Sequence, residues 1–308
     1  MIRKIKTKTE KPAKLAKITE YSLPEDYIGI DLNNENLSGD NLNCYNFSNA
    51  NLKNANFSDA DLSSADLTSV NLSGANLTST NLNSSDLSNA NLSNANLSGA
   101  LLISADLSNA DLSNANLSRA DLSGANLSFA YLNSTNLSRA NLKNIYLSDA
   151  ALSKANLSNS NIRNATLSRT TMNSANLNCA DLRSANLNRA DLSFGNLSFA
   201  QLSSATLNRV NLNNAKLINA DLSGVDLSGG DLSDADLTGV IIDRNTILVE
   251  VNLIGANLTN VNFIKSNPKI KNARFGFNQG LSPDTQEYLI KKGAILETFR
   301  IEDALEEL

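Results

Sequence analysis

The side chains best placed to do chemistry in this sequence are its cations, and they are ordered. Lys143, Arg163 and Arg183 stand 20 residues apart, Arg169, Arg189 and Arg209 do the same, and Arg119 and Arg139 repeat the interval. Guanidinium and ammonium groups at a fixed spacing make no bonds of their own; they recognise carboxylates or phosphates. Their surroundings are partitioned. Residues 31–118 hold nine acids and one base, 119–216 ten bases and four acids, and 217–267 seven acids and two bases. A basic middle is therefore hidden inside a chain of formal net charge −5. Aromatic residues gather in the same zone. Phe129, Tyr131 and Tyr146 are expected to share one corner, and Phe194 and Phe199 to form, with Ile218, a second outward apolar group; Leu101 and Ile103 make a smaller third. Grouped exposed apolar residues mark contact sites more often than scattered ones.

Bond-making machinery is missing. The sequence has no His, which removes the commonest general base and transition-metal ligand. Cys44 and Cys179 are the only cysteines; they are expected on the outside, roughly 30 Å apart, beyond disulfide reach and in keeping with a reducing compartment. Asp66, Asp86 and Asp106 also recur every 20 residues, but the glycine-rich nonapeptide that holds Ca²⁺ in other β-helical repeats is absent. Gly74, Gly99 and Gly124 occur singly, and no phosphate loop leads from a strand into a helix. No catalytic residue, metal or cofactor is expected, and the chain reads as non-enzymatic.

What must position these residues is visible in "ADLSNADLSNANLSRADLSGANL", residues 105–127. On a helix, steps of five would scatter the leucines round the axis; on one long strand they would alternate between faces. The chain must turn between leucines, so that each pentapeptide is a short edge and a corner and every leucine points to one interior. From Leu32 to Leu237 the pattern runs through 42 pentapeptides without insertion or deletion, and only Phe47, Phe57, Ile162 and Met172 replace the central leucine. Two residues earlier 27 of the 42 positions are alanine, a second inward site. The Asn, Asp and Ser positions suit corners and a solvated wall. Charges that recur at intervals of 20 would stack if a coil held four such edges.

This A(D/N)LSX word resembles the pentapeptide-repeat family over about residues 30–267. The resemblance implies an all-β fold, a right-handed quadrilateral β-helix of about ten to eleven coils, some 50 Å long, with Leu and Ala inside. It also implies one route to function, since some members resemble duplex DNA in shape and charge and protect bacterial topoisomerases from inhibitors.

Boundaries follow from composition. All four prolines lie outside the repeat, as a continuous ladder requires. Residues 1–29 carry seven bases against four acids and read as a flexible basic arm, too poor in apolar residues for a membrane span. A register slip of one residue is expected between Ile247 and Leu253. Residues 268–308 read as a helical cap and acidic tail: Ser282 as N-cap, Pro283 in the first turn, Lys291 and Lys292 in the last, Gly293 as C-cap, and a second short helix in "IEDALEEL". Capping of the open end is the main expectation for this segment and a homodimer contact the lesser one. The many Asn-Leu-Ser triplets would be glycosylated in a eukaryotic secretory route, so a bacterial, cyanobacterial-type cytoplasm is expected.

Three functional expectations follow. First, the basic, aromatic-flanked middle docks an acidic protein surface; stacking like charges about 5 Å apart costs stability, which a partner's negative charge would offset. Second, the same band binds nucleic acid. Third, the rod mimics DNA, a reading the basic middle interrupts. Against all three, the arginines could merely discourage edge-to-edge pairing or descend from one duplicated coil.

Overall fold

The structure, a computed structural model, describes residues 27–297. Residues 1–26 of the expected arm, and the expected helix in the last eight residues, lie outside the described residues.

Each pentapeptide contributes one rung of backbone pairing and one tight turn. Leu32 N–H donates to the Asn51 carbonyl (2.9 Å), and Asn51 N–H donates back to the Ile30 carbonyl (2.7 Å). The same parallel exchange joins Asp31 to Asn51, Asn36 to Asn56 and onward, each residue as far as Asp221 pairing with the one 20 further along. A coil is thus four five-residue edges. Every edge ends in a turn closed by the N–H of the Ala position and the preceding Leu-position carbonyl, as in Ala50 to Phe47 at 3.0 Å. The residue just before that alanine is left-handed, with φ of 59° at Asn49, 60° at Asn94 and 67° at Gly99. Asn and Gly are frequent there because they tolerate that region at least cost.

The interior is the two apolar columns. Leu52, Leu107 and Leu187 are fully buried, and Ala55, Ala110 and Ala180 with them. At roughly 1.5 to 3 kcal/mol per buried Leu, stability is a sum of many near-equal parts. Where Thr or Ser takes the alanine place, its hydroxyl is satisfied: Thr80 and Thr135 reach the carbonyls of Phe57 and Leu112 (2.7 and 2.8 Å), and Ser85 and Ser160 bond the carbonyls of Leu82 and Leu157 (2.7 and 2.6 Å).

The polar positions do more than meet water. Asn46 Oδ1 accepts the Ser48 N–H (2.9 Å) and Asp61 Oδ1 that of Ser63 (3.1 Å), which fixes the start of each turn. Between coils, Asn56 Nδ2 donates to Asn36 Oδ1 and Asn76 Nδ2 to Asn56 Oδ1, both at 2.9 Å. Asn therefore builds ladders in side chains as well as backbone.

The register slip falls earlier than expected. Ile242 and Leu248 both point inward, whereas Ile247 is only half-buried and bridges Asp226 in the ladder. An apolar side chain misleads here, because inwardness is set by phase relative to the turn. Asp243 absorbs the extra residue: its carboxylate accepts the N–H groups of Gly224, Asn245 and Thr246 at 2.9 to 3.0 Å.

Beyond this point come α1 (Phe263–Ser266), β1 (Arg274–Phe275), α2 (Pro283–Lys291) and β2 (Ile295–Leu296). Ser282 Oγ accepts the Thr285 N–H and Pro283 opens α2; the C-cap is Lys292 and not Gly293 as expected, and Gly293 comes next, taking the left-handed turn with φ of 87°. β1 and β2 pair in parallel, Arg274 with Ile295, and Arg274 also bridges Asn252. Coil-on-coil pairing thus continues past residue 267, where the pentapeptide pattern ends. At the opposite end Tyr27 stacks on Tyr45 and Phe47, with centroids 5.5 and 5.3 Å away.

Candidate binding surface

The 20-residue coil turns the sequence interval of the cations into columns. One column runs Phe129, Asp149, Arg169, Arg189, Arg209, all at the left-handed turn position with φ of 55° to 62°. A second holds Arg119 and Arg139 at the same turn position, followed by Asn159, Cys179 and Phe199. The third, Lys143, Arg163 and Arg183, occupies the serine place of another edge. These three columns lie on three different edges, so the basic band wraps the rod and is not one stripe.

Two of the eight cations are engaged within the chain. Arg169 grips Asp149, one coil below, through Nε to Oδ1 (2.7 Å) and Nη2 to Oδ2 (2.6 Å). Arg183 grips its neighbour Asp181 in the same two-toothed way, at 2.8 and 2.6 Å. These hydrogen bonds hold the Asp149 and Asp181 carboxyls below the usual carboxylate range. Among the described residues Arg119, Arg139, Lys143, Arg163, Arg189 and Arg209 make no ion pair, and all six are exposed.

The aromatic expectation divides. Phe129, Tyr131 and Tyr146 are each more than half exposed; Phe129 and Tyr131 flank one corner, whereas Tyr146 stands one coil further along on the edge that leads into it. Tyr131 bridges Asp111 and Ala151, while Tyr146 bridges Asn126 and Thr166 on the adjacent edge. The reason is arithmetic: fifteen residues span three of the four edges in a 20-residue coil. Phe194 and Phe199 are exposed at successive corners, and the Phe199 N–H donates to the Ile218 carbonyl at 2.8 Å, the ladder bond that every turn residue makes. Ser193 and Ser198, just before these two phenylalanines, are buried, whereas Ser113 and Ser118 are only half-buried. Leu101 and Ile103 are exposed.

Sequence spacing did not reveal one feature of the second column. A groove of about 680 Å³ runs over Asn116, Asn136 and Asn156 and over Ser118, Ser138 and Ser158, with Arg119 and Arg139 in its lining and no acid. The signal was present as N-L-S repeated at intervals of 20, followed each time by a variable corner residue. The Arg169–Asp149 clamp was legible in the same way, as an acid 20 residues before a base.

Both cysteines are free and exposed. Among the described residues no cluster of His, Cys, Asp or Glu could hold a metal ion, and no helix is long and apolar enough to cross a membrane.

Comparison with known proteins agrees with the repeat. No curated protein matches the chain. Among solved structures, HetL of the cyanobacterium Nostoc, a pentapeptide repeat protein involved in heterocyst differentiation regulation, is 28% identical; the match covers 79% of this chain and 94% of that one, with a TM-score of 0.32. QnrB1, a plasmid-mediated fluoroquinolone resistance protein, is 20% identical over 61% of this chain and 90% of its own, with a TM-score of 0.43. A pentapeptide repeat protein from the thylakoid lumen of Arabidopsis thaliana is 28% identical over 36% of this chain and 80% of its own, with a TM-score of 0.21. The family model described as pentapeptide repeats matches in successive stretches that cover residues 30–242 without a gap, and again at 244–267. The chain belongs to the pentapeptide repeat family.

Proposed function

We propose that the protein is a non-enzymatic binding module whose basic middle docks an acidic protein surface. The observation that carries this is the set of six exposed cations that make no salt bridge among the described residues, four of which, Arg119, Arg139, Arg189 and Arg209, sit at left-handed turn positions. The backbone there is best served by Asn or Gly, and a column of like charges adds repulsion. Neither cost is offset by a salt bridge among the described residues. Arg169 and Arg183 are tied down by Asp149 and Asp181, so they contribute less to an outside partner than their neighbours do. Phe129 and Phe199, each at one end of an arginine column, and Tyr131, Tyr146 and Phe194 beside them supply apolar contact area.

In the same reading residues 30–267 are the repeat rod, of about ten to eleven coils at the spacing expected of paired strands, and the segment from 268 onward, α2 and β2 included, covers its open end. A bacterial cytoplasmic setting fits two unpaired thiols.

The test is capture from host lysate by the immobilised chain, with elution by salt and a parallel arm using duplex DNA. Capture of an acidic protein that is lost in an Arg119→Glu, Arg139→Glu, Arg189→Glu, Arg209→Glu variant of unchanged melting temperature is the expected result. Unchanged capture refutes the reading. Tight binding of duplex DNA, with affinity falling steeply as salt rises, transfers the band to nucleic acid.

A further inference from the structure

A second basic site lies outside the middle band, where the register slips. Arg244, Lys269, Lys271 and Lys292 line one recess of about 400 Å³ together with Asn267, Pro268 and Ile270. The recess is assembled from three separate parts of the chain. Arg244 comes from the slipped corner, Lys269 and Lys271 flank the buried Ile270 on the next coil, and Lys292 is the C-cap of α2. The ladder fixes the juxtaposition, since Lys269 bridges Ile247 and the Asn272 N–H donates to the Gly293 carbonyl at 2.7 Å.

Among the described residues none of the four cations makes an ion pair, and no acid lines the recess. Glu287 and Glu297, five residues either side of Lys292, pair with Lys291 and Arg274, and the carboxylates beside the other cations leave them without an ion pair as well. Asp243, beside Arg244, is occupied by the N–H groups of Gly224, Asn245 and Thr246. Glu250 donates its backbone N–H to the Lys271 carbonyl (3.0 Å) but forms no salt bridge. Tyr288 orders the far wall: its O–H donates to Asn267 Oδ1 (2.8 Å), leaving the Asn267 amide N–H₂ able to donate, and its ring lies 5.7 Å from Lys292 Nζ.

Four uncompensated cations and an amide donor around one small recess suit a compact ligand of high negative charge with many acceptor oxygens. Lysine binds phosphate as a point charge and arginine with a two-toothed fork. We infer that this recess binds a small polyphosphate, of the size of pyrophosphate. The inference is independent of the middle band, which lies on earlier coils.

Titration calorimetry of the full chain with sodium pyrophosphate at low salt tests it. Saturable binding is expected, weakened at least tenfold in a Lys269→Ala, Lys271→Ala, Lys292→Ala variant and unchanged in Lys265→Ala, whose lysine lies outside the recess. Lys269→Gln replaces the triple variant if the latter fails to melt cooperatively, and is expected to weaken binding several-fold. Absence of saturable binding, unchanged affinity in the recess variants, equal binding of succinate, or binding of duplex DNA without pyrophosphate would each overturn the assignment.

Discussion

At the scale of residues, the turn position before each alanine separates what the backbone wants from what the surface carries. Asn, Ser and Gly fill it through most of the rod, and Arg or Phe replaces them in the middle. Replacing Arg189 (φ 59°) by Asn removes a like charge from the column and restores a residue at ease in the left-handed region. Thermal or urea unfolding is expected to show a gain of up to about 1 kcal/mol; a loss of stability would mean that Arg189 packs against its neighbours in a way the fold depends on. Asp181 offers a pH prediction with a definite sign. Its folded pKa is lowered first by the Arg183 side-chain hydrogen bond, against the opposing effect of burial. The contribution of that clamp to stability is therefore present above the ordinary carboxylate pKa of about 3.9 and fades as pH falls through the lower folded value. A carboxyl titration by NMR is expected to place Asp181 below that reference in the native chain and nearer to it in Arg183→Gln. Identical midpoints would show that the clamp does not persist in solution. These pairings were only partly legible in the sequence, because spacing shows which residues share a column but not which way a flexible guanidinium turns.

At the scale of elements, the pentapeptide was readable because the interior is strict. A five-residue period excludes a helix and a long strand, leaving a turn after every leucine. The left-handed residue in that turn was not read, since Ser, Arg and Phe occupy it alongside Asn and Gly and blur its chemistry. The start of α2 was readable where local rules govern: Ser282 and Pro283 mark it by the same capping physics that operates in any helix, whereas its C-cap fell on Lys292, one residue before the glycine. Local rules failed where phase governs, as at Ile247, which is apolar yet belongs to the ladder. Gly280 shows how tightly the last coils approach. Its φ is 83°, and a Cβ there would run into the Thr259 backbone. Gly280→Ala is expected to lower stability by more than about 1 kcal/mol, read as a drop in urea midpoint; an unaltered midpoint would show that the α2 segment sits on the rod more loosely than the structure has it.

At the scale of the whole molecule, a β-helix gives each residue an address, an edge and a level, and the proposed function rests on departures from the consensus word at particular addresses. The uniform core says nothing about partners, since Leu and Ala recur at every level. The banding of charge was legible by counting, but its wrapping over three edges, the acid-free groove beside Arg119 and Arg139, and the C-terminal recess needed the coil to be closed in space. The most direct measurement compares two variants of equal size in charge for capture of the same acidic partner. Neutralising the unpaired Arg119 and Arg139 to Asn is predicted to reduce affinity at least tenfold, while neutralising the clamped Arg169 and Arg183 to Asn leaves it within about twofold, each tenfold step being about 1.4 kcal/mol. Equal losses in the two variants, or none in either, would contradict the claim that cations with no salt bridge among the described residues are the ones that bind outside the chain.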